Sequence, residues 1–125
     1  MKQSYKDLIV WQKAREFVKK IYEITRSFPK EELYSLVDQM KRAAVSIPSN
    51  IAEWNSRNTL KEQYQFFSIA RGSCSELETQ IILAYDLGFI TENHTLLEEI
   101  EEIGKMLSGL MKSKMNDIQK NISRS

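Results

Sequence analysis

From Leu8 to Phe28 apolar residues recur every three or four positions: Trp11, Ala14, Val18, Ile21 and Phe28, with Leu8, Phe17 and Ile24 alongside. This is the period of an amphipathic helix. Asp7 stands where it can accept a backbone hydrogen bond as that helix's N-cap. Pro29 suits the first position of a second helix, where its missing N–H would have no partner in any case. Glu31 and Glu32 follow where the helix dipole favours negative charge. In the second helix Leu33, Leu36, Met40, Ala44, Ile47 and Ile51 share one face at 100° per residue. That stripe stays in phase across Pro48, so the pattern predicts a helix that kinks there rather than breaks.

Residues 55–58 form a polar loop, and Thr59 with Glu62 has the spacing of a capping box that opens a third helix. Its apolar positions are Leu60, Tyr64, Phe67, Ala70, Cys74, Leu77, Ile81 and Ala84. Phe66, Ile69, Ile82, Leu83, Tyr85 and Leu87 widen the face beyond what one bundle core requires. Gly72, costly in mid-helix, reads as a helix-crossing or subunit contact. Gly88 is placed for a left-handed C-cap with Ile90 as its hydrophobic companion. Thr91 is placed to cap a fourth helix, whose core positions are Leu96, Leu97, Ile100, Ile103, Leu107, Leu110 and Met111. Segment 116–125 turns polar and basic and is expected to fray. No internal repeat or strand-period alternation competes with four helices. The expected fold is all-α: one domain over residues 1–125, an up-down-up-down left-handed four-helix bundle joined by short turns.

Composition narrows the class. At 125 residues, 42% apolar and 28% charged, with two prolines and four glycines, the chain is neither disordered, collagen-like nor a disulfide scaffold. Cys74 is the one cysteine, so no internal disulfide is possible. The N-terminal MKQSYKDLIV lacks the apolar stretch of a signal peptide, and the expected location is the cytoplasm. The longest wholly apolar run, 81–85, is far below the ~20 residues of a spanning helix, so no membrane association is expected. Charge is segregated beneath a net +1: residues 1–57 carry a surplus of +4, residues 58–104 of −7 and residues 105–125 of +4. Such asymmetry can form a basic surface for phosphate, an acidic one for a basic partner, or simply solvated helix faces.

Chemistry-bearing residues are sparse. His94 and Cys74 fall on different helices several turns apart, and neither phosphate-loop glycines, zinc spacing nor Glu-x-x-His is present. Neither a metal nor a cofactor is expected, and Cys74 reads as a small core hydrophobe. One constellation stands out: Gln39, Arg42, Ser46, Asn50 and Glu53 form a polar stripe on helix 2, rotated away from its apolar face. It reads as a structural network fixing how helix 2 meets a neighbour. A lone carboxylate with an arginine lacks the second acid or nucleophile of an acid–base scheme, so an enzyme is not expected.

The words QMKRAAVSIPSNIAEW, with DLIVWQKA, FPKEELYSL, FFSIARGSCSELETQ and LGFI around them, resemble the signature of the small four-helix-bundle proteins encoded in intervening sequences of bacterial 23S ribosomal RNA genes. The resemblance spans nearly the whole chain. Lys41 departs from the family's arginine, losing a planar fork, and Trp54 from its glycine, leaving the turn after Glu53 in question. The resemblance implies the bundle fold. Through a distant likeness to the accessory protein of diversity-generating retroelements, it also implies a pentamer that binds nucleic acid.

Two readings of function follow. In the first, a non-enzymatic homo-oligomer binds RNA or DNA backbone through Lys13, Lys19, Lys20, Lys41 and Arg42, repeated around an axis, while the acidic outer face of helix 4 points elsewhere. In the second, the wide face of helix 3 docks a protein partner, and the basic residues only solubilise an adaptor or scaffold.

Overall fold

The computed structural model describes residues 4–124, the last of these by its backbone. It contains four helices, α1 (Ile9–Thr25), α2 (Leu36–Trp54), α3 (Leu60–Asp86) and α4 (His94–Arg124), and no strand among the described residues. Each helix packs against the next in the chain, and α1 closes more loosely on α4. Contacts pair rising positions on one helix with falling positions on the next: Ser46 with Ser73 and Trp54 with Phe67 between α2 and α3, Lys13 with Glu102 and Lys20 with Glu99 between α1 and α4. Neighbours therefore run antiparallel, as short connections require.

The core is one cluster. Val10, Ala14, Phe17 and Ile21 from α1 meet Met40, Ala44, Ile47 and Ile51 from α2, then Phe67, Ala70, Cys74, Leu77, Ile81 and Ala84 from α3, and Ile100, Ile103 and Leu107 from α4. On α1 the buried stripe sits slightly to one side of the expected one. Val10 and Phe17 are buried while Trp11, Val18 and Ile24 are only partly so, and Trp11 instead meets Tyr5 edge to face at 5.3 Å.

Helix boundaries carry the main corrections. Asp7 does not cap α1: it ends a 3-10 turn, Tyr5–Asp7, capped by the Ser4 hydroxyl, and Leu8 precedes α1 without a side-chain cap. Pro29 does not begin α2 either. It precedes a second 3-10 turn, Lys30–Glu32, so α2 starts only at Leu36. Leu33 consequently lies outside the helix whose phase its spacing shares; it is 48% exposed, and Tyr34 beside it is 90% exposed. Thr91 does not cap α4. The Glu92 carboxylate accepts from the Thr95 backbone N–H at 3.0 Å, and the helix begins at His94.

Other expectations hold. α2 runs without interruption through Pro48, with Ile47 and Ile51 both buried on either side. Beyond Trp54 the chain stays right-handed at Asn55 (φ −66°, ψ −22°), so the turn there needs no glycine. The Thr59 hydroxyl oxygen accepts from the Glu62 N–H at 3.1 Å and caps α3. Gly88, at φ +81°, closes α3: its own N–H donates to the Tyr85 carbonyl, and the Phe89 N–H reaches back to that of Ala84. This double bond pattern needs a left-handed residue in the glycine position. Phe89 then packs against Phe28 with ring centres 5.3 Å apart and planes tilted by 49°, tying the α3–α4 connection to the α1–α2 connection at one end of the bundle.

Gly72 is exposed and has nothing near its Cβ position, so it is not a helix-crossing point within this chain. The close approach is at Gly104 on α4, where an added Cβ would lie 3.1 Å from the guanidinium carbon of Arg71. The absent side chain leaves room for Arg71 to lie across α4 and donate to Ser108 at 3.2 Å, and to Ser75 on its own helix at 3.0 Å.

Candidate nucleic-acid interface

The five basic residues singled out by sequence divide between two helices, and four of them meet a carboxylate. On α1, Lys13 lies 3.1 Å from Glu102, Lys20 lies 2.6 Å from Glu99, and Lys19 lies 3.4 Å from Glu16. On α2, Arg42 pairs with Asp38 at 3.0 Å, and the Lys41 ammonium sits 4.7 Å above the Tyr22 ring. Half of the acidic face of α4 therefore does not point elsewhere: Glu99 and Glu102 turn toward α1, while Glu98 and Glu101 pair with His94 and Lys105 on α4 itself. With Lys13, Lys20 and Glu16, Glu99 and Glu102 line an open cleft of about 540 Å³ along the α1–α4 seam. Each pair is solvent-exposed and worth at most about 1 kcal/mol to stability. A phosphate arriving at Lys13 or Lys20 would have to displace a carboxylate already in place.

The polar stripe of α2 does not form one network. Asn50 donates to the Ser46 carbonyl at 2.7 Å and to the Ser46 hydroxyl at 2.9 Å, and the buried Ser73 of α3 donates to that same hydroxyl at 2.8 Å. Ser46 and Asn50 thus belong together and fasten α2 to α3. Arg42 turns to Asp38, Glu53 to Arg57, and Gln39 lies exposed. Arg42, Asn50 and Glu53 thus have separate partners within the chain.

Neither remaining reactive side chain gathers companions. Burial pushes the Cys74 thiol up to about 12, which keeps it protonated and inert at neutral pH. His94 is exposed and, among the described residues, pairs with Glu98, one turn away at 2.9 Å. Among the described residues no three His, Cys, Asp or Glu side chains gather as metal ligands.

A further cluster of aromatic and basic side chains lies at the end of the bundle where α2 hands on to α3 and α4 finishes. Trp54 stacks on Phe67 at 5.3 Å and carries the Lys114 ammonium 5.7 Å from its ring. Arg57, in the loop, lies 4.7 Å from the Phe66 ring and bridges Glu53 and Glu62. The available signal was the interleaving of Trp54, Arg57, Phe66 and Lys114. It was illegible without the pairing of α3 with α4, because Lys114 is distant in sequence from the other three.

α4 continues as helix through segment 116–124, and its late turns lie against the start of α3. No described helix is long and apolar enough to cross a membrane. A family model, 23S rRNA-intervening sequence protein, matches residues 6–109. Comparison with curated proteins gives no significant match.

Proposed function

This chain belongs to the 23S rRNA-intervening sequence protein family, and from that premise we propose that it works as a non-enzymatic homo-oligomer that binds RNA or DNA by its backbone in the cytoplasm. The observation that carries the assembly is a concentration of exposed apolar side chains at one end. Leu83, Tyr85 and Leu87, in the last turn of α3 and just beyond it, are each 45–60% exposed. The Phe28–Phe89 contact brings the connection bearing Leu33 and Tyr34 to that same end. Solvated helix termini do not need five large apolar side chains, and such a patch favours a second copy of the same surface. A pentamer is the assembly state the resemblance favours.

Assembly also supports binding. One subunit of net charge +1 attracts a polyanion weakly, whereas a ring repeats each basic surface several times. The pairing of Lys13, Lys19, Lys20 and Arg42 with carboxylates favours a second reading, in which the apolar end docks another protein and no nucleic acid is bound.

Light scattering decides the first part. The wild type is expected at a small multiple of 14.6 kDa at micromolar concentration, near five-fold for the pentamer, and Leu83→Glu with Leu87→Glu is expected at the monomer mass. A monomeric wild type refutes the assembly. Fluorescence anisotropy with a labelled RNA or DNA oligonucleotide decides the second. Binding that weakens steeply with salt supports the proposal, and no affinity at ~50 mM salt leaves the adaptor reading in its place.

A further inference from the structure

Away from α1 and α2, three exposed lysines on α3 and α4 lack a carboxylate partner among the described residues. Lys61 at the start of α3, and Lys112 and Lys120 near the end of α4, have no ion pair or hydrogen bond of their side chains among the described residues. Lys61 and Lys112 line one groove, and Lys120 lines a hollow on α4 that adjoins it through Asn116 and Gln119. On α3, Lys61, Tyr64, Gln65 and Ser68 recur at helical spacing along its wall; on α4, Lys112, Met115, Asn116 and Gln119 do the same. Hollows of about 460 and 320 Å³ follow one another along this seam, with Tyr64 and Met115 shared between them. No aspartate or glutamate lines them, nor the two adjoining hollows that extend to Ile122 and Ser123. The α1–α4 cleft, lined by Glu16, Glu99 and Glu102, is the opposite case.

The geometry points to the α3–α4 groove as the binding surface for single-stranded nucleic acid. This rests on the nucleic-acid reading above and names where and in what form the strand is held. Three unpaired lysines supply the phosphate contacts that set affinity. Asn116 and Gln119 offer both donors and acceptors for base edges, as single strands with splayed bases present them. Tyr64, flanked by Met115 and Ile118, offers a ring on which a base can stack, a contact every base can make. A duplex keeps its bases stacked inside and cannot use that ring. From Ser108 to Ser123 the α4 wall runs ~22 Å, room for about six stacked nucleotides. The groove lies at the other end of α3 from the apolar cluster of Leu83, Tyr85 and Leu87, so assembly through that cluster leaves it open.

Anisotropy titrations across salt, using a ~20-nucleotide single-stranded RNA, the matching DNA strand and its duplex, test the assignment. Lys61→Gln, Lys112→Gln and Lys120→Gln together are expected to weaken single-strand binding by about tenfold or more at ~50 mM salt. The log–log slope should flatten by about 2, near 0.7 for each phosphate no longer neutralised. Tyr64→Ala is expected to cost about fivefold or more, with Tyr64→Phe restoring the affinity because stacking needs the ring and not the hydroxyl. Circular dichroism and light scattering should be unchanged, since all three lysines are exposed. RNA and DNA strands binding alike mark backbone and stacking recognition; preference for RNA adds the 2′-hydroxyl, and both outcomes support the groove. Stronger binding of the duplex overturns it. A wild type that binds while the triple variant is unchanged, or that loses its affinity only with Lys13→Gln and Lys20→Gln, overturns the groove and leaves nucleic-acid binding standing. A wild type that binds no strand overturns both.

Discussion

The Ser46–Ser73 hydrogen bond fastens α2 to α3, and a double-mutant cycle measures it. Ser73 is 8% exposed and donates to the Ser46 hydroxyl at 2.8 Å, while Asn50 donates to the same oxygen at 2.9 Å. Ser46→Ala removes the acceptor of both. Asn50 retains the Ser46 carbonyl at 2.7 Å and is partly solvated, so little of the penalty falls there. The Ser73 hydroxyl is left buried without this partner, a loss of about 1–2 kcal/mol. Alanine is the better helix former by roughly 0.5 kcal/mol, so each single substitution is expected to cost on the order of 0.5–1.5 kcal/mol. Ser46→Ala with Ser73→Ala strands nothing and should cost about 1 kcal/mol less than the sum of the two. Propensity cancels in the cycle, which makes the coupling the quantity to read. Thermal melts at one fixed protein concentration should show it as a difference near 4 °C for a chain of this length. Additivity within about 0.3 kcal/mol would mean that the hydroxyls find other partners, and that α2 is held to α3 by apolar packing alone.

Two further outcomes follow from single positions. Gly72 is exposed with open space around its Cβ position, so Gly72→Ala should stabilise the protein by about 1 kcal/mol; a lowered melting temperature together with a reduced mass in light scattering would place Gly72 at a subunit contact instead. Because burial raises the Cys74 thiol to about 12 from 9.0, the folded state holds a proton that the unfolded state releases above pH 9. The stability tied to that proton is complete below pH 9 and declines by up to about 1.4 kcal/mol per unit as pH rises toward 12. Cys74→Ala should remove that share of the alkaline decline, and a thiol reagent at pH 8 should label the wild type only in denaturant. Rapid native labelling would contradict the burial.

The distribution of charge changes the weight of each functional reading. Counting lysines and arginines along α1 and α2 marks a basic surface, but the assembled bundle cancels much of it through Glu99, Glu102, Glu16 and Asp38. Lys61, Lys112 and Lys120, at and beside the α3–α4 groove, have no ion pair among the described residues, and Asp117, the only acidic residue in segment 105–125, does not line the groove. Affinity for a polyanion depends on charges free to release counterions on contact, so pairing outranks number.

Features whose cause is local could be read from the sequence alone. Apolar spacing of three and four specified four helices, Thr59 and Glu62 specified where α3 begins, and Gly88 specified where it ends, because each acts on backbone groups within a turn of itself. The in-phase stripe from Met40 to Ile51 was enough to carry α2 through Pro48. Tertiary structure decided what local rules leave open. Leu33 keeps helical spacing with Leu36 and Met40, but a 3-10 turn after Pro29 takes it out of the helix and into solvent. Lys20 meets Glu99 across 79 positions, Arg71 lies close against Gly104, and Lys61 joins Lys112 at one groove. Such pairs depend on the register between helices. That register is set by where the 3-10 turns and caps end each helix and by how the core side chains of four helices interlock, so no stretch of the chain contains it.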